Sequence, residues 1–217
     1  MCIYGNGMAG NRTPARYLFD LHVHSTGSAD SRLASAVAMT RAREMGLTGL
    51  SFTDHDRLTL LDSPFDDLVL VPGAELSTAW GDLLAIGISE LPPAGLSVPE
   101  LIEDIHRQGA VAVVPHPFSP ELAHICMNEH VFDIIDVIDG LEVTSPKRSV
   151  DNPKARRLAR EHSKAVTGGS DAHSPEAMGH GYTSCDEGTV EGLLKAIKLG
   201  RTGAFTRKRS RQTRSRR

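Results

Sequence analysis

The sequence has few cysteines and no long apolar run. Its three cysteines, Cys2, Cys126 and Cys185, are widely spaced and form no C-x-x-C pair, which argues against a disulfide framework and a thiolate zinc finger. No apolar stretch approaches the roughly 18 residues needed to cross a bilayer, and residues 1–15 lack the hydrophobic segment of a signal peptide. The sequence therefore predicts a cytoplasmic protein with no membrane partner.

Basic residues are scarce outside the C-terminus. Eight of the 24 Lys and Arg lie between Arg201 and Arg217, so residues 1–200 hold 16 basic and 27 acidic residues. An acidic body argues against a general nucleic-acid binder and suits a protein that holds cations with carboxylates. The length fits one globular domain. We predict a loose leader over 1–15, one domain over 16–203 and a basic, disordered tail over 204–217.

Strand, loop and helix alternate six or seven times along the chain. Short apolar runs alternate with segments of helical periodicity, which predict helices over 33–45, 98–108, 153–162 and 190–199. Repeated β/α units predict parallel strands with helices outside. Since no Gly-rich loop follows the first strand, a closed barrel is favoured over an open sheet, and the chemistry is expected at the C-terminal ends of its strands.

Potential metal ligands follow most of the predicted strands. In the first, Asp20-Leu-His-Val-His, alternation places Asp20, His22 and His24 on one face. A single histidine after a strand is usually structural, but recurrence at one rim predicts a metal centre. Nitrogen and oxygen ligands without thiolate favour Zn²⁺, Mn²⁺ or Fe²⁺, and about nine ligands suggest two or three ions. The later candidates are Asp30, His55 beside Asp54, Glu75, His116, Glu142, Asp171 and His173.

Together these segments resemble the successive motifs of the PHP (polymerase and histidinol phosphatase) superfamily. The segments are Asp20-Leu-His-Val-His-Ser, Thr53-Asp-His-Asp, Gly73-Ala-Glu-Leu-Ser, Val114-Pro-His-Pro, Leu141-Glu-Val and Gly169-Ser-Asp-Ala-His. The resemblance spans Tyr17 to Gly203 and is greatest to short stand-alone members described as metal-dependent phosphoesterases. It implies an α/β fold, a distorted (β/α)7 TIM-like barrel with a metal site at the C-terminal rim. It also implies phosphoester hydrolysis by attack of a metal-bound hydroxide.

The resemblance further implies a role for each candidate residue. One ion would be held by His22, His24, Asp171 and a bridging Glu75, a second by Glu75, His116 and Glu142, and a third by Asp30, His55 and His173. Asp20 and Asp54 would orient imidazoles by hydrogen bonds. The candidate catalytic residues are Glu75, Asp171 and His173. Lys147, Arg148 and His180 are candidates for binding substrate phosphate, although a solvated loop charge explains these three equally well.

Other functions and several substrates remain open. An amidohydrolase-type metal hydrolase also places H-x-H after the first strand of a barrel, but it often needs a mid-barrel lysine, and Lys147 is the first lysine of this chain. A non-catalytic, polymerase-associated PHP-like accessory module should have lost ligands, whereas this set is complete. The candidate substrates are small phosphomonoesters, nucleotides and short oligonucleotides. The basic tail could collect nucleic acid electrostatically, although a solvated terminus is the commoner outcome.

Overall fold

The protein is a mixed α/β structure with two sheets, seen in a computed structural model that describes residues 16–119, 124–145 and 150–207. The leader over 1–15, the segment with Lys147 and Arg148, and the end of the basic tail lie outside the described residues. The strands are β1 (Tyr17–Val23), β2 (Gly49–Phe52), β3 (Val69–Val71), β4 (Gly73–Thr78), β5 (Gly81–Ile86), β6 (Val111–Val114), β7 (Gly140–Ser145), β8 (Val150–Asp151), β9 (Ala165–Gly168), β10 (Gly181–Cys185) and β11 (Gly203–Thr206).

The two sheets meet at the ends of their strands. One has the order β11-β10-β1-β2-β3, and the other has the order β4-β5-β6-β7-β8 with β9 paired to β7. Two single parallel bridges, Val23 with Ala172 and His55 with Glu75, link the sheets. Within the described residues the strands form two sheets and not one continuous ring, so the closed seven-stranded barrel stays a prediction.

Four of the five α-helices in the described residues lie close to predicted positions, and the short helix over 131–134 falls outside the four predicted ones. The five are α1 (Ser35–Glu44), α2 (Val98–Arg107), α3 (Val131–Ile134), α4 (Pro153–Glu161) and α5 (Val190–Lys198). Local chemistry fixes their starts. Ser97 and Glu100 form a capping box at the start of α2, and the Asn152 side chain accepts a hydrogen bond from the Ala155 amide where α4 begins with a proline.

The expectation of uniformly parallel strands is wrong at β5, β8, β10 and β11. β5 runs antiparallel to both β4 and β6, because the turn between Thr78 and Gly81 is too short for a helical crossover. β10 pairs antiparallel with β1 and with β11. β11 continues to Thr206, past the predicted domain end at residue 203, because its amides pair with β10.

Three clusters of buried apolar side chains surround a polar centre. One cluster packs with α2 and α4, a second with α5 and a third with α1. At the strand ends between them, Asp20, His22, His24 and Asp54 have no exposed surface. Burying such groups is unfavourable unless they are paired or hold a cation, so this polar centre is the place to look for function. In the described part of the chain no helix is long and apolar enough to span a membrane.

Candidate metal centre

His22 lies in β1 and His24 directly after it, and both direct a ring nitrogen at the same point. The Nε2 atoms of His22 and His24 lie 3.1 Å apart, and both side chains are fully buried. Oδ1 of Asp171 lies 3.8 Å from the first nitrogen and 3.5 Å from the second. These three residues form one group that could hold a metal ion.

Glu75, on β4, lies at the centre of the histidines. Its Oε2 is 3.2 Å from Nε2 of His22, 3.1 Å from Nε2 of His24 and 3.5 Å from Nδ1 of His55. Its other oxygen, Oε1, is 3.3 Å from Nε2 of His116 and makes no hydrogen bond of normal geometry within the described residues. Glu75, His22 and His116 form a second group that could hold a metal ion.

A third group lies on the open side of the centre and consists of His24, Asp30, His55 and His173. Oδ2 of Asp30 is 2.8 Å from Nε2 of His173 and 3.7 Å from Nε2 of His55. The His24 ring lies between the other two, with centroid distances of 4.6 Å to His55 and 4.2 Å to His173. The side chain of Asp30 is 53% exposed, so solvent and substrate can reach this side.

Two of the candidate ligands have unusual backbone angles. His116 has φ of 32° and Asp171 has φ of 47°, in the left-handed region that costs a non-glycine residue about 1–3 kcal/mol. Pro115 and Pro117 restrict the backbone on both sides of His116, and Sγ of Cys126 donates to its carbonyl oxygen at 2.7 Å. Such strain persists only where the surroundings enforce it, and it is concentrated at functional sites.

Glu142 is close to the centre, but its carboxylate is already engaged. Oε1 lies 3.3 Å from Nδ1 of His22, and Oε2 accepts a hydrogen bond from the backbone amide of His116 at 3.0 Å. Glu142 belongs to none of the three groups found among the described residues. The structure therefore places it behind the His22 ring, on the side away from Glu75.

Asp20 and Asp54 support the centre in a different way from the one predicted. In the described structure neither carboxylate bonds to an imidazole. Asp20 accepts hydrogen bonds from the backbone amides of Ser170 and Gly179, which fixes the segment that carries Asp171 and His173. Asp54 accepts one from Ser28 Oγ, and that oxygen lies 3.2 Å from Nδ1 of His24, so Asp54 orients the imidazole through the serine.

Charges in the centre are strongly coupled. Burial favours the neutral His22 ring, but attraction to Glu75 and Glu142 outweighs it and raises the pKa of His22 well above 6.5. Burial likewise opposes the Glu75 carboxylate, yet His22 and the hydrogen-bonding histidines hold its pKa well below 4.5. The pKa of His116 is raised to about 10 by Cys126 and Glu75 against the effect of burial. A bound cation would have to displace the protons from these ring nitrogens.

The donor set fits divalent transition-metal ions. Histidine nitrogens and carboxylate oxygens converge from three overlapping groups that contain no cysteine, a ligand set suited to zinc, manganese or iron. The 3.1 Å between the Nε2 atoms of His22 and His24 is close to the separation of about 3.3 Å between two nitrogen ligands of one tetrahedral zinc ion.

Three residues were predicted to bind substrate phosphate, and one of them, His180, lies within the described residues. Lys147 and Arg148 lie outside the described residues. His180 is described, and Nδ1 of its ring lies 3.3 Å from the carbonyl oxygen of Arg207; among the described residues it belongs to none of the three groups. Its contact with substrate phosphate stays a prediction.

Asp82 is a site residue that the sequence did not reveal. It is 5% exposed, and its Oδ2 has no hydrogen-bond partner among the described residues. Burial, followed by repulsion from Glu75, raises its pKa to about 6. Asp82 begins β5, whereas the predicted ligands follow the ends of strands. Because β5 is antiparallel to β4, its beginning lies at the same rim, and only an expectation of this hairpin would have identified Asp82.

Comparisons with known proteins agree with the fold and with the family that the sequence resembles. A family model described as PHP-associated matches residues 150–202. An uncharacterized protein of Methanocaldococcus jannaschii is 31% identical over 142 residues, which cover 57% of this chain and 79% of the relative. The 5'-3' exoribonuclease Rnm of Salmonella typhimurium is 35% identical over 81 residues, 34% of this chain and 27% of the relative.

One solved structure shares the fold over most of the chain. It is a two-domain protein from Bacteroides vulgatus that contains a predicted PHP-like metal-dependent phosphoesterase. It matches with a TM-score of 0.72 at 19% identity, and the match covers 89% of this chain and 65% of the other. At this identity the likeness shows the fold, and the chemistry has to be argued from the residues of the centre.

Proposed function

The chain belongs to the PHP superfamily, and on that premise we propose that it is a metal-dependent hydrolase of phosphoric esters. The observation that carries the proposal is the position of Glu75, whose two carboxylate oxygens lie within 3.5 Å of nitrogen atoms from four histidines. A buried carboxylate that faces several imidazoles is suited to bridge two cations. Paired divalent ions are a recurrent arrangement in phosphoester hydrolysis.

We propose two or three ions of Zn²⁺, Mn²⁺ or Fe²⁺, held by the three groups. His22, His24 and Asp171 would hold one ion, Glu75 with His22 or His116 would hold the next, and Asp30, His55 and His173 would hold a third. Glu142 would act mainly by orienting His22, since its oxygens already contact that ring and the His116 amide.

Bound divalent ions would lower the pKa of a water molecule and neutralise charge on the phosphoryl oxygens. The chain's own contribution is to position the groups and to move protons. Nδ1 of His173 lies 3.0 Å from the carbonyl oxygen of Asp171, which favours the tautomer that exposes Nε2 towards Asp30. With its side chain 19% exposed, His173 would either bind the third ion through Nε2 or, where two ions are bound and that site is not used, pass a proton to a leaving oxygen.

Nucleotides and short oligonucleotides are the substrates we propose, ahead of other phosphomonoesters. The similarity to an exoribonuclease supports this choice, although the chain spans about a quarter of that relative. We also propose that the two bridges between the sheets mark a distorted (β/α)7 barrel, that the domain covers residues 16–203 at least, and that the protein is cytoplasmic. A non-catalytic accessory role is the alternative, and a complete set of candidate ligands argues against it.

The test is metal analysis together with activity on p-nitrophenyl phosphate, nucleoside monophosphates and a 5′-phosphorylated oligonucleotide. We expect the wild-type protein to bind at least one transition-metal ion per chain and to hydrolyse one or more of these substrates. The His22→Ala variant should lose both properties, while Arg41→Ala, at an exposed position of α1, should keep them. A metal-free, inactive wild-type protein would refute the proposal and favour the accessory role.

A further inference from the structure

Four aromatic rings lie in the turn between β4 and β5 and in the segments that follow His116 along the chain. They belong to Trp80, Phe118, His130 and Phe132, which we call the aromatic shelf. The rings of Trp80 and His130 are stacked, with centroids 5.1 Å apart and an angle of 14° between their planes. Those of Phe118 and Phe132 are 6.5 Å apart. Phe132 is 46% exposed and the His130 side chain 53% exposed, so both rings are accessible from solvent.

Short connections tie the shelf to His116. Phe118 follows that histidine by two residues. Gly81, next to Trp80, packs so closely on Cys126 that an added Cβ would lie 2.6 Å from a backbone atom of that cysteine. Sγ of Cys126 lies 3.5 Å from Nδ1 of His116. Gly81 and Cys126 therefore connect the shelf to His116, a candidate metal ligand.

The charged groups described at the shelf carry no excess of positive charge. Nζ of Lys154 lies 3.9 Å above the Phe118 ring and 2.9 Å from Glu129. His130 lies 3.2 Å from Asp133. A surface with one cation over an aromatic ring and no excess of positive charge does not attract a long polyanion electrostatically. It can bind a planar, uncharged ring by stacking, and Lys154 would exchange its contact with Glu129 for one phosphate.

From these contacts we propose that the aromatic shelf binds a nucleobase of the substrate, so that the site acts on nucleotides or on the end of a short single strand. The proposal rests on the proposed function, because the shelf would hold the base of a substrate whose phosphate reacts at the candidate metal centre. Base stacking is sequence-tolerant because every base has a π-face. The shelf would therefore select for nucleotides as a class and not for one base.

Trp80 is the single tryptophan of the chain, so its fluorescence reports directly on the shelf. The experiment titrates full-length protein in EDTA with a 5′-phosphorylated thymidine dinucleotide and, separately, with inorganic phosphate. We expect saturable quenching by the dinucleotide and none by phosphate. Phe132→Ala should weaken dinucleotide binding by about 5- to 150-fold, the range for loss of one base–aromatic stack. Leu199→Ala, which removes an exposed apolar side chain after α5, should not change it.

Salt and activity separate the possible results. The logarithm of the binding constant should fall with the logarithm of salt concentration with a slope of about −0.7, as for one phosphate contact. A steep slope, or equal quenching by inorganic phosphate, would overturn the shelf. The shelf would also be overturned if the dinucleotide caused no quenching while the same protein, with metal restored, hydrolysed phosphomonoesters. In that case the proposed function would still stand. Quenching that depends on Phe132 in a protein without hydrolase activity would support the shelf and refute the proposed function.

Discussion

His22 and Glu142 are 120 positions apart in the chain, yet Nδ1 of the histidine lies 3.3 Å from Oε1 of the glutamate. This contact fixes the plane of the ring, so that its Nε2 faces Glu75. A carboxylate behind a metal-binding imidazole sets its tautomer and raises its basicity, and losing such a group typically lowers metal affinity by about 10- to 100-fold.

The first prediction concerns this contact. Glu142→Gln keeps the size of the side chain but removes its charge, so we expect metal affinity to fall by about 10- to 100-fold while the fold is retained. Competition with a fluorescent chelator measures the affinity. The control is Glu161→Gln, at a half-exposed side chain near the end of α4. Complete loss of one ion per chain, in place of weaker binding, would identify Glu142 as a direct ligand.

A second prediction separates Glu75 from Glu142. Glu75 contacts four histidines and its Oε1 lacks a normal hydrogen bond, as expected for an oxygen that awaits a cation. We expect Glu75→Gln to lose more than about 100-fold of the activity, beyond the usual effect of a supporting residue, and to bind fewer ions per chain. Metal analysis and kcat measure the two effects, with Glu44→Gln, on the exposed face of α1, as the control. Wild-type metal content in the variant would contradict the bridging role.

Gly169, the residue directly after β9, allows the chain to pass close to β1. A Cβ at this position would lie 2.3 Å from Cβ of His22 and 2.8 Å from Oε1 of Glu142. We therefore expect Gly169→Ala to lower the free energy of unfolding by about 1–3 kcal/mol, as for overpacking in a core, and also to weaken metal binding. Gly109→Ala is the control, because its φ of +78° disfavours alanine although there is nothing within 4 Å. If both variants lose stability but bind metal equally well, the close approach has no role in the site.

The fourth prediction is a pH dependence. Burial raises the pKa of Asp82 from 3.8 to about 6, so ionising this group opposes folding: its contribution is most favourable below pH 4 and is lost as the pH rises through 6. In metal-free protein, Asp82→Asn should therefore gain stability over wild type as the pH increases from 4 to 7, by up to about 3 kcal/mol. Urea unfolding in EDTA at several pH values measures the difference. A difference that does not change with pH would show that Asp82 titrates normally.

Local signals made the helices predictable. The capping box of Ser97 and Glu100, and Asn152 followed by proline, act within one turn of the chain, so their effect can be read from a few neighbouring residues. Strand direction could not be read in this way. The antiparallel course of β5 depends on which strands it pairs with, and an apolar run has the same composition in either direction.

The sequence by itself determined the identity of the candidate ligands, because side-chain chemistry and strand-end spacing are local properties. Each candidate ligand could be named before any contact was known, and the structure brings them together in three groups. They are His22, His24, Glu75, His116 and Asp171, with Asp30, His55 and His173. Only the tertiary structure decided how the neighbouring carboxylates differ. Glu142 lies behind an imidazole, Asp20 holds backbone amides, and Asp82 is buried without a hydrogen-bond partner for its Oδ2 among the described residues. The role of an aspartate or glutamate cannot be read from its residue type, because it depends on distances to residues that are remote along the chain.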